Sequence, residues 1–179
     1  MTDDQQLISV LADIRERGAI GESSLEDAVA HADQYVAALA AEVRTVVDLG
    51  SGGGLPGLVI AVRRPGVQIV LVERRQARAD LLRRAVSALG ATDRIEVVSD
   101  DVAVVATTRG GTFDAVTARS FAAPPITARW AGALLRGGGM LVVSEPPVEA
   151  GERWPAELLD QHGLVDLGRM QGVRRFRRS

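Results

Sequence analysis

The residues with the clearest chemical content run from Asp48 to Gly57. They read Asp48-Leu49-Gly50-Ser51-Gly52-Gly53-Gly54-Leu55-Pro56-Gly57 and follow the apolar pair Val46-Val47. An apolar strand feeding a glycine cluster and then a helix brings backbone close to a ligand, because no Cβ stands in the way. The first helical turn offers free N–H groups to polar or anionic ligand atoms. Three readings fit. Gly52-x-Gly54-x-x-Gly57 satisfies a dinucleotide fingerprint. Asp48-x-Gly50-x-Gly52-x-Gly54 satisfies the form of the loop that holds S-adenosylmethionine. The third reading is a purely structural turn. Two details favour the second. Asp48 ends the strand where a cationic ammonium group can be held and where a pyrophosphate would be repelled. The dinucleotide glycines also begin too late, since the strand ends near Leu49.

A second acidic residue, Glu73, closes the apolar run Val70-Leu71-Val72. A carboxylate there can accept from both ribose hydroxyls, in NAD as well as in S-adenosylmethionine. It can equally be a helix-start carboxylate. Asp100 and Asp101 follow a third apolar run, where an adenine amino group would sit; capping a helix explains Asp101 as well. Gly50, Ser51, Gly52, Gly54, Leu55 and Pro56 complete the expected cofactor loop. Other chemistries are excluded by composition. There is no cysteine and no lysine, so no thiolate ligand or nucleophile, Schiff base or Walker-type lysine is available. No cluster has metal-ligand spacing. The two histidines, His31 and His162, read as structural.

These residues must be positioned by repeated strand–helix units. The periodicity predicts strands near Thr45–Leu49, Val67–Glu73, Ile95–Val98, Phe113–Ala118 and Gly139–Ser144, with helices near Leu55–Arg63, Gln76–Leu89, Asp101–Thr107 and Pro125–Leu135. Repeated βα units demand a mainly parallel, doubly wound sheet with helices on both faces. Two helices precede it, from about Thr2 to Arg17 and from a Ser24 cap to about Glu42. A helix near Arg153–Gln161 and strands Leu164–Arg169 and Gly172–Arg177 follow, the last two as an antiparallel pair. The expected organisation is a helical segment over 1–42 and the sheet domain over 43–179, one compact unit. The 179 residues and 46% hydrophobic content suit a single core. No apolar run is long enough to span a membrane, and the expectation is a cytoplasmic protein. The net charge of −2 gives no global pull toward nucleic acid, although arginines cluster at Arg74–Arg84 and Arg174–Arg178. Solvated surface explains those clusters as well as a basic face does.

With these residues placed, the chain resembles the GidB family, ribosomal RNA small subunit methyltransferase G, as a shortened and divergent member. The resemblance is carried by Val47–Gly57, above all Leu55-Pro56-Gly57, and by Phe113-Asp114-Ala115-Val116-Thr117-Ala118-Arg119-Ser120-Phe121-Ala122. It continues through Trp130-Ala131 to Leu134–Gly139, with a fainter match at Gly18–Gly21 and His31. It implies the Rossmann-like class I fold of S-adenosylmethionine-dependent methyltransferases, S-adenosylmethionine as cofactor, ribosomal RNA as partner and N7-methylguanine as product. It also implies a cofactor- or RNA-proximal role for Arg119, which is the expected catalytic and cofactor-binding arginine. Two departures stand out. Ala77, with Arg78 beside it, occupies a usual lysine position, and Ser144-Glu145-Pro146-Pro147 replaces a usual Lys-Gly. That segment only superficially resembles the Asn/Asp-Pro-Pro-Tyr motif of amino methyltransferases. A small-molecule acceptor on the same fold, or a cofactor-binding relative without catalysis, remains open.

Overall fold

The structure is a computed structural model and describes residues 3–21, 24–146 and 152–179. The elements run α1 (Asp3–Glu16), α2 (Leu25–Ala38), β1 (Thr45–Leu49), α3 (Gly57–Arg63), β2 (Gln68–Val72), α4 (Gln76–Ala88), β3 (Ile95–Val98), α5 (Val102–Arg109), β4 (Phe113–Ala118), α6 (Pro124–Leu134), β5 (Leu135–Ser144), α7 (Ala156–Gln161), β6 (Leu164–Met170) and β7 (Val173–Arg178). They build one seven-stranded sheet of order β3-β2-β1-β4-β5-β7-β6. β1 to β5 are parallel, and β7 inserts antiparallel between β5 and β6. The doubly wound, mainly parallel sheet is the one expected.

The central strands are apolar along their length because helices cover both faces. Leu7, Leu11, Tyr35, Leu58, Ile60 and Val142 belong to one core layer. Val47, Leu49, Leu134, Leu141, Trp154 and Phe176 belong to the other. The helices before β1 therefore share a core with the sheet. Ser24 caps α2 as expected, its hydroxyl accepting the Asp27 N–H at 3.0 Å.

Two boundaries differ from expectation for tertiary reasons. α2 ends at Ala38 and not near Glu42: Leu39 turns extended (ψ 132°) and is buried with Val43, which carries the chain into β1. β5 begins at Leu135 and not at Gly139. Phe113 pairs with Leu135 and Ala115 with Met140, so the intervening glycines form an irregularity inside the strand. The starts of the expected first helix, at Thr2, and of the segment after Pro147 lie outside the described residues.

Asp114 ties three strand starts together. Its Oδ2 accepts the N–H groups of Arg44 and Thr45 at 2.7 and 2.8 Å, and its Oδ1 accepts Arg136 Nε. Burial works against its ionised form, but these donors more than offset that and hold the carboxyl at about 2. Asp114→Ala should cost roughly 1.5–3 kcal/mol at neutral pH, the range for hydrogen bonds to a charged group. Because the folded value lies below the unfolded one, this contribution is complete above pH 4 and disappears as the pH falls toward 2. Urea denaturation across that range is the check: wild type and variant should converge in acid, and a pH-independent gap would exclude the ionised carboxylate as the tie.

Candidate active site

The strand order reverses between β1 and β4, and in open α/β sheets ligands lie beyond the carboxyl ends of the strands at that point. A cleft of about 470 Å³ lies there. Gly50 enters it from β1, Glu73 from β2, Asp100 and Asp101 from the end of β3, and Ser120 and Phe121 from the end of β4. Ile126 and Trp130 of α6 supply an apolar wall opposite the carboxylates. A neighbouring cavity of about 270 Å³ runs along Ser51–Gly53 and is lined by Leu55, Arg78 and Arg119. A larger cavity, about 540 Å³, opens at the amino edge of the sheet. Its arginines are already engaged, Arg109 with Glu96 and Arg94 with the Ala61 carbonyl, so we assign the site to the carboxyl edge.

The glycine loop is shaped by its own backbone. Gly50, Gly52 and Gly54 have φ of 64, 54 and 86°, where a side chain is strained. A Cβ at Gly50 would meet the Phe121 ring at 2.8 Å, and at Gly53 the Ile20 side chain at 2.4 Å. At Gly52 the nearest atom would be 3.7 Å away. Gly50 and Gly53 are thus small because protein crowds them, while at Gly52 a Cβ would make only ordinary van der Waals contacts and the positive φ is what favours glycine.

The acidic residues do different work. Asp48 is 1% exposed; Thr117 Oγ1 donates to its Oδ1 at 2.7 Å and its Oδ2 has no hydrogen-bond partner. Burial pushes its pKa up to about 6, and the Thr117 hydroxyl and the charge of Arg119 moderate the push. Glu73 accepts the Gly52 N–H at 3.0 Å and the Arg75 N–H at 2.8 Å. It holds the loop and the start of α4 while lining the cleft. Asp101 caps α5 through the Ala103 N–H, and Asp100 accepts the Asp101 N–H; both still face the cleft. Asp48, Gly54 and Pro56, expected in the cofactor site, line neither cavity: Asp48 is buried beneath the first turn of α3, Gly54 packs on Leu58, and Pro56 precedes α3.

Arg119 follows β4, and its Nη1 is buried without a hydrogen-bond partner. A surface ion pair does not account for it, since no described carboxylate lies within ion-pair distance. The same holds for Arg74, Arg75 and Arg78 around the cleft. His31 packs edge-on to Tyr35, and burial, with Arg119 nearby, lowers its pKa. His162 ends α7; neither histidine lines these cavities. Sequence reasoning missed Phe121 as the residue on Gly50, Thr117 as the Asp48 partner, and the apolar wall from α6. Phe121, Thr117 and Trp130 lay within the matched blocks, but only the fold brings them to the loop. Among the described residues, no group of acidic residues and histidines could hold a metal ion, and no helix is long and apolar enough to cross a membrane.

The family model described as rRNA small subunit methyltransferase G matches residues 10–147. The chain belongs to the GidB family. Ribosomal RNA small subunit methyltransferase G of Neisseria meningitidis serogroup C is 43% identical over 97 residues, 54% of this chain and 45% of that protein. The protein of the same name from Salinispora arenicola is 43% identical over 112 residues, 60% of this chain and 46% of that one. The chain thus spans about half the length of the GidB relatives it matches. Among solved structures, an O-methyltransferase family protein from Burkholderia thailandensis superposes with a TM-score of 0.67 at 18% identity, covering 83% of this chain and 55% of that one. Cofactor-bound Rv0187 from MTB gives 0.63 at 21% identity, over 97% of this chain and 88% of that one. At these identities the likeness concerns the fold alone. Family and fold together imply use of S-adenosylmethionine.

Asp48 makes the ligand-free site sensitive to pH. Its folded pKa of about 6 lies above the unfolded value of 3.8, so stability declines as the pH rises from about 4 to 6 and is level above. Asp48→Asn should remove that slope and melt higher than wild type at pH 7.5, by up to roughly 3 kcal/mol, the free-energy equivalent of the difference between those two values. Thermal melts of the ligand-free proteins read this directly; a flat wild-type profile would show that Asp48 does not carry a buried charge.

Proposed function

We propose that the chain binds S-adenosylmethionine in the carboxyl-edge cleft and transfers its methyl group to guanine N7 of small-subunit ribosomal RNA. The observation that carries this reading is the set of carboxylates Glu73, Asp100 and Asp101 from successive strand ends lining one cleft, next to a glycine-loop cavity lined by Arg119, whose Nη1 is buried without a partner, in a chain of the GidB family. The residues present fit the cofactor. Asp48, with its orphaned Oδ2, suits the ammonium end, Gly52 lines the loop cavity without a side chain to fill it, and Glu73 retains lone pairs for the ribose. Asp100 or Asp101 suits the adenine amino group, and Ile126 and Trp130 suit its ring. When bound, the cofactor supplies a methyl group already activated on a sulfonium.

Guanine N7 attacks with a free lone pair and loses no proton; the electron pair of the broken carbon–sulfur bond stays on sulfur. Such a step needs alignment, and no general base. The absence of histidine from the cavity linings agrees with that. Arg119 has a rigid fork of donors for a phosphate or base edge, and Arg74, Arg75 and Arg78 place unpaired positive charge around the mouth.

Labelled methyl transfer to small-subunit RNA, against a pool of cell metabolites, tests the reading. Label in metabolites would favour a small-molecule acceptor, and cofactor binding without any label would favour a non-catalytic relative. Arg119→Lys should leave the melting temperature nearly unchanged and reduce transfer at least about tenfold, or roughly 1.4 kcal/mol of transition-state stabilisation. If acceptor binding is what suffers, extra RNA should recover part of the rate. A fully active Arg119→Lys enzyme counts against acceptor positioning by this residue.

A cationic cofactor beside Asp48 should favour the ionised carboxylate. Calorimetry is expected to show affinity for S-adenosylmethionine falling as the pH drops through about 6, and this dependence should vanish in Asp48→Asn. Identical pH profiles for the two proteins would remove Asp48 from the cofactor site.

A further inference from the structure

The cofactor cleft has a smaller neighbour at the carboxyl edge. A cavity of about 250 Å³ lies beyond the Ser120–Ala122 stretch, bounded by Ala118 at the end of β4, Ser144 at the end of β5, and Arg153 and Trp154. Ser120, Phe121 and Ala122 line this cavity and the cofactor cleft alike, so a single stretch of chain divides the two spaces. Ser120 has φ 53°, a left-handed conformation that strains a residue with a side chain. Strain of this kind persists where the surroundings hold it, and it gathers at ligand sites.

The far wall is built around one carboxylate. Glu145 Oε1 accepts from Arg153 Nη1 and from Trp154 Nε1, each at 2.9 Å. The Glu145 side chain is 9% exposed and that of Arg153 30%. The clamp fixes the guanidinium while engaging only one nitrogen of its fork, so other N–H groups remain to donate.

We propose that this cavity is the subsite for the acceptor base and that Arg153 reads guanine O6 within it. The inference rests on the reading that the acceptor is a guanine in RNA. Guanine presents an acceptor at O6 where adenine presents the N6 amino donor. An arginine N–H pairs with the first and opposes the second. A single contact to O6 leaves the adjoining N7 lone pair free, and the shared Ser120–Ala122 wall brings that edge beside the methyl donor. The cavity is about half the size of the cofactor cleft, as suits a base without its sugar. Glu145 is a positioning residue that holds Arg153 and Trp154 in place.

Trp154 also supplies the test. In Trp130→Phe protein it is the sole tryptophan, and its fluorescence is followed with S-adenosylhomocysteine at saturation, so that nucleotides do not enter the cofactor cleft. Guanosine 5′-monophosphate is expected to quench it at concentrations about tenfold below those adenosine 5′-monophosphate requires, near the low end for one hydrogen bond to a charged group. Arg153→Ala and the bulk-preserving Arg153→Gln should each abolish the preference without changing affinity for S-adenosylhomocysteine. Equal titration by the two nucleotides, or a preference surviving both substitutions, overturns the subsite. Methyl transfer to small-subunit RNA, measured with wild type, separates the two levels. RNA labelling without nucleotide preference sinks the subsite and leaves the methyltransferase reading standing; preference without RNA labelling does the reverse.

Discussion

Taking the Asp48 carboxylate out of water is the costliest feature of the carboxyl edge, and much of the local architecture compensates for it. An ionised group at 1% exposure needs donors or a counter-charge. β4 supplies Thr117 from the adjacent strand, in register with Asp48 itself. The Ser51 hydroxyl beside it donates to the Asp48 main-chain carbonyl at 3.0 Å and fixes the turn, not the carboxylate. Arg119, two residues beyond Thr117, adds positive charge. One oxygen is nevertheless left without a partner. A fold built only for stability has little reason to place an aspartate there, because an apolar side chain would avoid the penalty. A site for a cation has a clear one.

That constraint also explains the packing above the strand. Gly57 leaves no room for a Cβ, which would lie 2.3 Å from Leu71 and 3.0 Å from Asp48 Oδ2. The first turn of α3 therefore rests directly on the carboxylate. The Gly52 N–H is held by Glu73 from the next strand, so the two acidic strand ends are linked through the loop. The Ala19–Ile20 turn closes against Gly53 from outside. The faint family match at Gly18–Gly21 thereby acquires a physical role: the segment before the sheet packs against the glycine loop.

Legibility in the sequence followed the range of the interactions. The strands and the glycine loop were readable because each apolar run ends in a residue it cannot absorb: Asp48, Glu73, Asp100. The Ser24 cap was readable because its bond spans three residues. The end of α2 and the start of β5 were not readable, since burial of Leu39 and pairing of Leu135 with Phe113 are decided by distant chain. Arg119 could be placed through the family motif, yet its lack of a carboxylate partner is a property of the assembled edge. Glu145 showed only as a departure from the family pattern. Its contact with Arg153 and Trp154 crosses a segment whose sequence has no periodicity to mark it.

The charge distribution follows the same logic at larger scale. A net charge of −2 hides a division of the arginines. Arg17, Arg83, Arg109, Arg136 and Arg174 sit in ion pairs away from the cleft, where they are neutralised locally. Arg74, Arg75, Arg78 and Arg119 border the cleft or its neighbour and, among the described residues, have no such partner. Unpaired charge that is not consumed by folding can act on an approaching ligand, and clefts lined by one sign of charge concentrate the opposite sign. Glu73 is buried in the cleft, while Asp100 and Asp101 are exposed like Arg74 and Arg75, so both signs of charge line the same opening. An opening of mixed sign fits the proposal of a cationic cofactor and an anionic acceptor better than it fits a ligand of one charge.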